Sequence, residues 1–185
     1  MILLIFGPSG IGKSYLAEAV VNKWPMNFEI GAVTTTRQPR ANEETKDREF
    51  VTDIEFDALI RAGDFLLHDV YDNNRYGWRK SLESDEEIFV TNIWPTLVPD
   101  FLAETSAIPI LLTSPSNDFL RERMSARGDD AETIRRRIAI AMQDQAFLQK
   151  YEDEISARGQ IFEIRDDNTI DHKILPWIES NMLSS

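Results

Sequence analysis

The stretch "ILLIFGPSGIGKSYLAEAV", Ile2–Val20, carries three signals that decide the fold. Ile2–Phe6 is a continuous apolar run, which is typical of a strand buried on both faces in a parallel sheet. The next segment, "GPSGIGKS", Gly7–Ser14, matches the pattern G-x-x-x-x-G-K-[ST]. From Lys13 to Trp24 the apolar residues keep helical spacing, and Pro25 ends the pattern. A buried strand, a glycine-rich loop and a helix in this order predict a P-loop.

The loop has the features that a phosphate cradle needs. Glycines let the backbone curl so that successive N–H groups point at phosphate oxygens, and the helix start adds its dipole. Lys13 is expected to reach the β- and γ-phosphates of ATP and is a candidate catalytic residue, while the Ser14 hydroxyl is a candidate ligand of Mg²⁺. The strand–loop–helix context favours this interpretation over a glycine-rich turn with a solvated lysine. The residues predicted to bind ATP are Gly7, Pro8, Ser9, Gly10, Ile11, Gly12, Lys13 and Ser14.

The composition indicates one globular domain. The chain has 185 residues, of which 42% are hydrophobic and 28% charged, and it contains no cysteine, which excludes disulfides and thiolate metal sites. Its formal net charge of −12 argues against coating of nucleic acid polymers, because that role requires a basic face. The opening apolar run "MILLIF" is short and lacks a basic leader, so neither a signal peptide nor a membrane span is expected. We therefore expect a soluble cytoplasmic protein; its oligomeric state does not follow from the sequence.

The rest of the chain alternates strand-like and helix-like patterns. Thr52-x-x-Glu55 is typical of a capping box that begins a helix, and Gly63 is the expected end of that helix. The polar segment 34–80 interrupts the alternation and is interpreted as an insertion. Strands that alternate with helices predict a parallel α/β sheet. The later apolar runs are 88–90, 108–112 and 161–164, and the helical patterns are 119–124, 133–148 and 170–182.

The segment "TTTRQPR", Thr34–Arg40, places two arginines three residues apart, without a carboxylate, in a strongly acidic chain. Guanidinium groups match phosphate oxygens bidentately, and Pro39 stiffens the backbone between Arg37 and Arg40. This pattern favours a phosphate-binding pocket. The alternative is a pair of exposed arginines that neutralise two nearby glutamates.

Placed in this order after a P-loop, the segments "TTTRQPR", "GDFLLHDVYDNNRYGW" and "LRERMSARGDDAETIRRRI" resemble the guanylate kinase family of nucleoside monophosphate kinases. The resemblance covers most of the chain and implies an α/β P-loop kinase with a parallel-sheet core, an inserted acceptor-binding lobe and a helical lid. It also implies that ATP with Mg²⁺ is the phosphoryl donor and that a nucleoside monophosphate is the acceptor. By this resemblance, residues 1–185 form a single kinase domain with its core at 1–33, 81–116 and 142–185, the lobe at 34–80 and the lid at 117–141.

The resemblance assigns acceptor-binding roles residue by residue. It implies that Arg37 and Arg40 bind the acceptor's phosphate and that Tyr76 hydrogen-bonds to it. Arg48 takes the place of a phosphate-binding tyrosine when one residue is deleted before it. Trp78 is a further acceptor-binding candidate, which we expect either to stack on a base or to fill the space that a purine needs.

In the lid, Arg127 and Arg137 resemble the catalytic arginines that neutralise charge on the transferring phosphoryl group, and Arg123 is a less defined candidate. Phosphoryl transfer needs mainly positioning and charge stabilisation, so arginines with Lys13 and Mg²⁺ are sufficient in principle. Three consecutive arginines, 135–137, cannot all point the same way, and the alternative for this segment is a basic helix face.

Several positions depart from the family pattern, and they concern recognition of the acceptor's base. Leu67 stands where the family places an acidic residue that reads guanine, and Val33 and Trp78 stand where small hydroxyl residues are usual. Thr91 and Asn92 replace the aspartates that are usual at the end of the following strand. We therefore expect the acceptor to be a phosphorylated nucleoside other than ordinary GMP, such as a pyrimidine or modified nucleotide.

Three alternatives stay open. A one-residue slip in the alignment would let Asp69 or Glu49 read the base. A sugar-phosphate acceptor is the second alternative, because the related ribose 1,5-bisphosphate phosphokinase also lacks the strand-end aspartates, although it does not preserve the paired arginines. The third is a non-catalytic guanylate kinase-like binding module, although such modules typically lose P-loop and lid residues that this chain retains, Lys13 and Ser14 among them.

Overall fold

The computed structural model of the chain describes residues 1–39, 47–71, 73–84, 86–166 and 168–183. Two β-sheets, one of five strands and one of four, organise these residues. The strands are β1 Ile2–Phe6, β2 Phe28–Ile30, β3 Val33–Thr35, β4 Arg48–Phe50, β5 Phe65–Tyr71, β6 Asn74–Arg79, β7 Ile88–Asn92, β8 Ile108–Thr113 and β9 Gln160–Glu163. The helices are α1 Lys13–Lys23, α2 Asp53–Ala62, α3 Val98–Glu104, α4 Asn117–Ala126, α5 Ala131–Leu148, α6 Glu152–Arg158 and α7 Leu175–Ile178.

The five-stranded sheet is entirely parallel and has the order β2-β7-β1-β8-β9. The central strand β1 is buried along its whole length, as its apolar sequence predicts. Its side chains alternate between two hydrophobic clusters, one with Leu3 and Ile5 and the other with Ile2, Leu4 and Phe6. Because parallel strands end at the same edge of a sheet, the loops after β1, β7 and β8 meet there. The prediction of a parallel α/β core is confirmed.

The four-stranded sheet has the order β4-β3-β6-β5 and is built from the segment between β2 and β7. Strand β6 pairs antiparallel with β3 and β5, whereas β3 pairs parallel with β4. Residues directly opposite each other on antiparallel strands point to the same face, so β5 and β6 together present rows of side chains. We name these rows after their β5 member: the Leu67 row includes Trp78, the Asp69 row includes Tyr76, and the Tyr71 row includes Asn74.

Helix α2 begins with the predicted capping box. The Thr52 hydroxyl accepts a hydrogen bond from the Glu55 N–H at 3.3 Å, and the Thr52 N–H donates to Glu55 Oε2 at 2.7 Å. Gly63 ends the helix in the left-handed conformation, with φ 69°. Both predictions for this helix are confirmed.

The C-terminal helical pattern takes a different form from the one expected. Within Ile170–Leu183, regular α-helical hydrogen bonding is confined to α7, and wider π-type turns flank it over Ile170–Ile174 and Glu179–Leu183. Pro176 lies in α7 and has no N–H to donate to the preceding turn, which favours a change of hydrogen bonding there. None of the helices in the described part of the chain is long and apolar enough to cross a membrane.

Candidate active site

The loop between β1 and α1 adopts backbone conformations that favour glycine. Gly7 has φ 143° and Gly12 has φ 109°. A Cβ atom on Gly7 would lie 2.3 Å from the carbonyl oxygen of Leu112 on β8. The loop therefore packs directly against the neighbouring strand, and its shape depends on the absence of a side chain at Gly7.

Lys13, the first residue of α1, turns back over this loop. Its Nζ atom donates hydrogen bonds to the carbonyl oxygens of Gly7 at 2.8 Å and Pro8 at 2.9 Å. The pKa of the Lys13 ammonium falls to about 8, chiefly because of burial, and Asp144 on α5 opposes the shift. Three nearby arginines add to the lowering of this pKa: Arg127, Arg48 and Arg137. The loop is therefore a positively charged site before any ligand binds.

A cavity of about 600 Å³ opens where the P-loop, the four-stranded sheet, the segment after β7 and helix α5 meet. Its size, with aromatic walls and a few charged groups, fits a small-molecule site. Among the residues predicted from the sequence, it brings together Gly7, Ser9, Lys13, Arg37, Tyr76 and Arg137. Further residues that line it are Tyr71, Asn74, Asn92, Trp94, Thr96 and Asp144.

Two acceptor-binding candidates in this cavity are held by packing. The Arg37 guanidinium lies 5.3 Å from the centroid of the Phe50 ring and donates a hydrogen bond to the Gln38 carbonyl oxygen at 2.9 Å. Tyr76 is 8% exposed, and its ring meets that of Trp94 at 87°, with centroids 4.8 Å apart. Side chains fixed in this way can bind a phosphate without a large loss of conformational freedom.

Asp129 ties together the two predicted catalytic arginines of the lid. Its carboxylate accepts hydrogen bonds from Arg127 Nη2 at 2.5 Å and from Arg137 Nη1. The hydrogen bond from Arg127 is the main reason why the pKa of Asp129 lies below its usual value. Arg137 lines the cavity, whereas Arg127, whose side chain is 52% exposed, does not. Arg123 Nε donates to the Gly10 carbonyl oxygen at 3.2 Å, which joins α4 to the P-loop.

Comparisons with known proteins agree with this arrangement. The model of a protein family described as guanylate kinase matches residues 1–157. The chain belongs to the guanylate kinase family. The guanylate kinase of Streptococcus thermophilus is 33% identical over 165 residues, which cover 82% of this chain and 76% of that protein. That of Malacoplasma penetrans is 31% identical over 160 residues, which cover 82% of each chain.

The fold agrees as well. A crystal structure of guanylate kinase from Anaplasma phagocytophilum superposes with a TM-score of 0.67 at 21% identity, covering 98% of this chain and 86% of that one. The predicted resemblance to the guanylate kinase family, the α/β P-loop kinase fold and the assignment as a phosphotransferase of this family are confirmed.

The burial of Trp78 disagrees with one of the two alternatives expected for it, stacking on a base. Trp78 is 0% exposed and packs in a hydrophobic cluster with Val33 and Leu67. Its indole N–H donates to the backbone carbonyl oxygen of Asn92 at 3.1 Å. A ring without exposed surface cannot stack on a base, so Trp78 fills space inside this guanylate kinase family member instead of contacting the acceptor.

Arg40 and Arg48 are the other two acceptor-binding candidates. Arg40 is not among the residues that the structure describes. Arg48 pairs with its neighbour Asp47 at 3.1 Å, and its Nη2 atom is 3.5 Å from Oδ1 of Asn92, which does line the cavity. Arg48 therefore borders the site, and its role in acceptor binding stays a prediction.

Glu49 and Asp69, the two alternative carboxylates for reading the base, lie on opposite faces of the four-stranded sheet. Arg79 donates to the Glu49 carboxylate at 2.8 and 3.1 Å and Thr34 donates to it at 2.5 Å, and these bonds, chiefly that from Arg79, lower its pKa. Thr34 pairs with Gly77, the neighbour of Tyr76, so this network lies on the face opposite the Asp69 row. Glu49 is therefore directed away from the cavity. Asp69 shares the face of Tyr76 without lining the cavity, and its role as a base reader stays a prediction.

Tyr71, Trp94 and Asp144 are among the cavity-lining residues that sequence reasoning missed. The position of Trp94, two residues after β7, was a usable signal, because ligands of α/β sheets bind beyond the carboxyl ends of strands. No sequence pattern near Asp144 indicates that it lines the cavity, because its position there depends on how α5 packs over the P-loop. Burial raises the pKa of its carboxyl, and Lys13 opposes that shift.

Polar side chains suited to a magnesium ion surround a small cavity beside the start of α1. Ser14 is exposed in the first helical turn and, with Asp47 and Asn92, lines a smaller cavity of about 150 Å³. Within the described residues, no group of three or more His, Cys, Asp or Glu side chains could hold a metal ion. Mg²⁺ usually keeps several waters and combines one or two protein ligands with substrate phosphates. This donor set therefore fits a magnesium ion that binds together with a nucleotide.

Proposed function

We propose that this chain is an ATP-dependent nucleoside monophosphate kinase that transfers the γ-phosphoryl group of ATP to a (deoxy)nucleoside monophosphate other than GMP. One observation carries the proposal: a single cavity is lined by the P-loop lysine Lys13, by Arg37 and Tyr76, and by the lid arginine Arg137. Groups that would hold the donor phosphates and the acceptor phosphate thus face a common space. Membership in the guanylate kinase family supports the same class of reaction.

In the proposed reaction, the P-loop N–H groups and Lys13 hold the donor phosphates, while Arg37 and Tyr76 hold the acceptor phosphate. An oxygen of the acceptor phosphate attacks the γ-phosphorus, and the bond from phosphorus to the bridging oxygen breaks so that its electron pair leaves with ADP. A general base is not needed, because a phosphate monoester is already ionised at neutral pH. Arg137 and Arg127 would leave Asp129 to stabilise charge on the transferring group.

Ser14 would hold Mg²⁺ through its hydroxyl oxygen, together with the nucleotide phosphates. When bound, this ion supplies positive charge that neutralises the β- and γ-phosphates. The proposed functional units are an acceptor-binding lobe at 34–80, which contains the four-stranded sheet apart from its first residue Val33, and a lid at 117–141, which contains α4 and the first part of α5.

The packing of the Leu67 row supports the altered specificity. Guanine presents an N1–H and an amino group, which both need hydrogen-bond acceptors, whereas Leu67 and Val33 offer none and the Trp78 indole is only a donor. Burying each guanine donor without an acceptor would cost about 1–3 kcal/mol. A ribose phosphate is a second candidate acceptor, because the buried Trp78 leaves less room for a base.

Steady-state kinetics with ATP and Mg²⁺ test the proposal across the ribo- and deoxynucleoside monophosphates and the ribose phosphates. We expect the highest kcat/KM for an acceptor other than GMP or dGMP, and we expect Lys13→Met to abolish transfer. If GMP or dGMP has the highest kcat/KM, the proposed specificity is wrong, and Asp69→Asn then shows whether Asp69 reads the base. Transfer to none of these acceptors would overturn the kinase proposal and favour a binding module.

A further inference from the structure

The turn between α4 and α5 contains two consecutive aspartates, Asp129 and Asp130, whose carboxylates bond to different partners. Asp130 caps α5, because its Oδ1 atom accepts hydrogen bonds from the backbone N–H groups of Glu132 at 3.0 Å and Thr133 at 2.9 Å. Asp129 instead accepts hydrogen bonds from the side chains of the two lid arginines. Helix capping therefore accounts for Asp130 and does not explain Asp129.

Asp129 binds the two arginines to different extents. Arg127 donates through two nitrogens of its guanidinium group, from Nε to Oδ1 at 3.3 Å and from Nη2 to Oδ2 at 2.5 Å. Arg137 donates to the same Oδ2 atom through Nη1 alone. Because a guanidinium group binds a phosphate in the same bidentate way, the Asp129 carboxylate occupies the atoms of Arg127 that would bind the transferring phosphoryl group. Arg137 still lines the cavity, whereas Arg127 does not.

The backbone of the turn holds Asp129 in place. The Asp129 N–H donates to the Met124 carbonyl oxygen at 3.1 Å, and the Gly128 N–H donates to that of Ser125 at 2.9 Å. Gly128 has φ 91°, a left-handed conformation that lets the chain reverse between the two helices. The Asp129 side chain is 16% exposed. The two arginines are therefore held by a fixed and largely buried anion before any nucleotide binds.

Both arginines already lie close to the P-loop. Their positive charges contribute to the lowering of the pKa of Lys13. Arg123, one turn before Arg127, joins α4 to the loop through its hydrogen bond to the Gly10 carbonyl oxygen. The phosphates of a nucleotide bound in the P-loop would therefore compete with Asp129 for the same guanidinium groups.

On the basis of the proposed function, we infer that Asp129 is a positioning residue that competes with the γ-phosphate of the donor for Arg127 and Arg137. Without nucleotide, Asp129 holds both arginines together and compensates their charge. When a triphosphate binds, its γ-phosphate replaces the carboxylate, so the loss of the Asp129 bonds offsets part of the new interaction. The affinity for the donor is therefore lower than the arginines alone would give, whereas a nucleotide without a γ-phosphate does not displace Asp129.

Isothermal titration with Mg²⁺ and without acceptor tests this competition, using ADP and the non-hydrolysable β,γ-imido analogue of ATP. Asp129→Asn keeps the shape of the side chain and removes its charge, so it should bind the ATP analogue about three- to tenfold more tightly than wild type does. The affinity for ADP should change by less than about twofold, because ADP has no γ-phosphate to replace Asp129. Asp118→Asn is the matched control, since it removes an 80% exposed carboxylate that pairs with Arg121 on the same helix at 2.6 Å, and it should change neither affinity.

A double variant tests whether Asp129 acts through the arginines. In an Arg127→Ala background, Asp129→Asn should strengthen the binding of the ATP analogue by a smaller factor, because one of the two released guanidinium groups is missing. A merely structural role of Asp129 predicts the opposite sign, since damage to the turn would weaken the binding of the analogue.

Unchanged or weaker binding of the ATP analogue in Asp129→Asn would overturn the inference. So would an equal gain for ADP or in Asp118→Asn, which would indicate a general effect of net charge, and a gain that is undiminished in the Arg127→Ala background. Transfer assays on the same proteins separate this inference from the proposed function. If wild type phosphorylates an acceptor while Asp129→Asn leaves the affinity for the analogue unchanged, only the role of Asp129 is wrong. If that affinity rises as expected and neither protein phosphorylates any acceptor, only the proposed reaction is wrong.

Discussion

Replacing Lys13 by methionine should change how the stability of the protein depends on pH. In the folded chain the pKa of Lys13 falls from 10.5 to about 8, chiefly through burial. The folded state therefore binds this proton more weakly than the unfolded state. Below pH 8 the charged lysine destabilises the fold to the full extent, and this destabilisation disappears as the pH rises from about 8 to 10.5.

Proton linkage gives the size of the effect. With pKa values of 10.5 unfolded and about 8 folded, the free energy of unfolding of wild type relative to Lys13→Met should increase by about 2 kcal/mol between about pH 7 and pH 9.5. Lys13 keeps part of its surface exposed, so solvent screening reduces this to about 1–2 kcal/mol. Taking the difference between the two proteins cancels the titration of all other groups.

The measurement is urea denaturation of both proteins at the two pH values, without nucleotide or magnesium. Lys23→Met is the matched control, since Lys23 lies at the exposed end of the same helix. The quantity compared is the free energy of unfolding of wild type minus that of Lys13→Met. If this difference stays constant or decreases between the two pH values, burial of the charged Lys13 does not destabilise the fold. Because a neutral amine still donates hydrogen bonds, the loss of the two bonds from Nζ in Lys13→Met contributes at both pH values and does not imitate the pH-dependent change.

The same titration should appear in catalysis. Because kcat/KM reports the ionisation of the free enzyme, kcat/KM for ATP should fall as the pH rises through about 8. Asp144→Asn removes the carboxylate that raises the pKa of Lys13, so the midpoint of this fall should move to lower pH. An unchanged midpoint in Asp144→Asn would show that Asp144 does not influence the pKa of Lys13.

Further variants test other parts of the molecule. Arg37→Ala should weaken acceptor binding by about 1–3 kcal/mol with little change in the KM for ATP. Gln38→Ala, at the exposed neighbouring residue, is the control and should change neither quantity in steady-state kinetics. Ser14→Ala should raise the Mg²⁺ concentration needed for half-maximal activity, and an unchanged magnesium titration would exclude Ser14 as a ligand. Arg158→Ala should lower the free energy of unfolding by about 2–3 kcal/mol, because it leaves three backbone carbonyl groups around the end of α3 without their donor. Arg121→Ala, which removes an exposed ion pair, is its control, and equal losses would contradict this reasoning.

The features that could be predicted from the sequence depend on interactions between residues close in the chain. The strand Ile2–Phe6 was evident because every one of its side chains is apolar, and the capping box was evident because Thr52 and Glu55 satisfy each other's backbone donors. The parallel sheet followed from the regular alternation of such segments. The helical pattern at the C-terminus was local as well, although apolar spacing does not register the missing N–H of Pro176 or the π-type turns around it.

The features that could not be predicted depend on packing between distant segments. Whether Trp78 faces a ligand or the core is decided by Trp94 and Phe101, which come from the segment after β7 and from α3. The pairing of Tyr71 with Trp94 and the approach of Asp144 to Lys13 likewise join residues far apart in the chain. Periodicity and motif spacing contain no information about such contacts.

The division between the two sheets explains why phosphoryl transfer and acceptor choice can change independently in this molecule. Lys13 and Arg137 are held by the P-loop backbone and by Asp129, and neither depends on the β5–β6 hairpin for its hydrogen bonds. Residues of the Leu67 row lie on the other sheet and contact the five-stranded sheet through the hydrophobic cluster that contains Trp78 and Trp94. A tryptophan in that cluster can therefore reshape the acceptor end of the cavity without moving the groups that hold the reacting phosphates. Substitutions at Lys13 should accordingly abolish transfer to every acceptor.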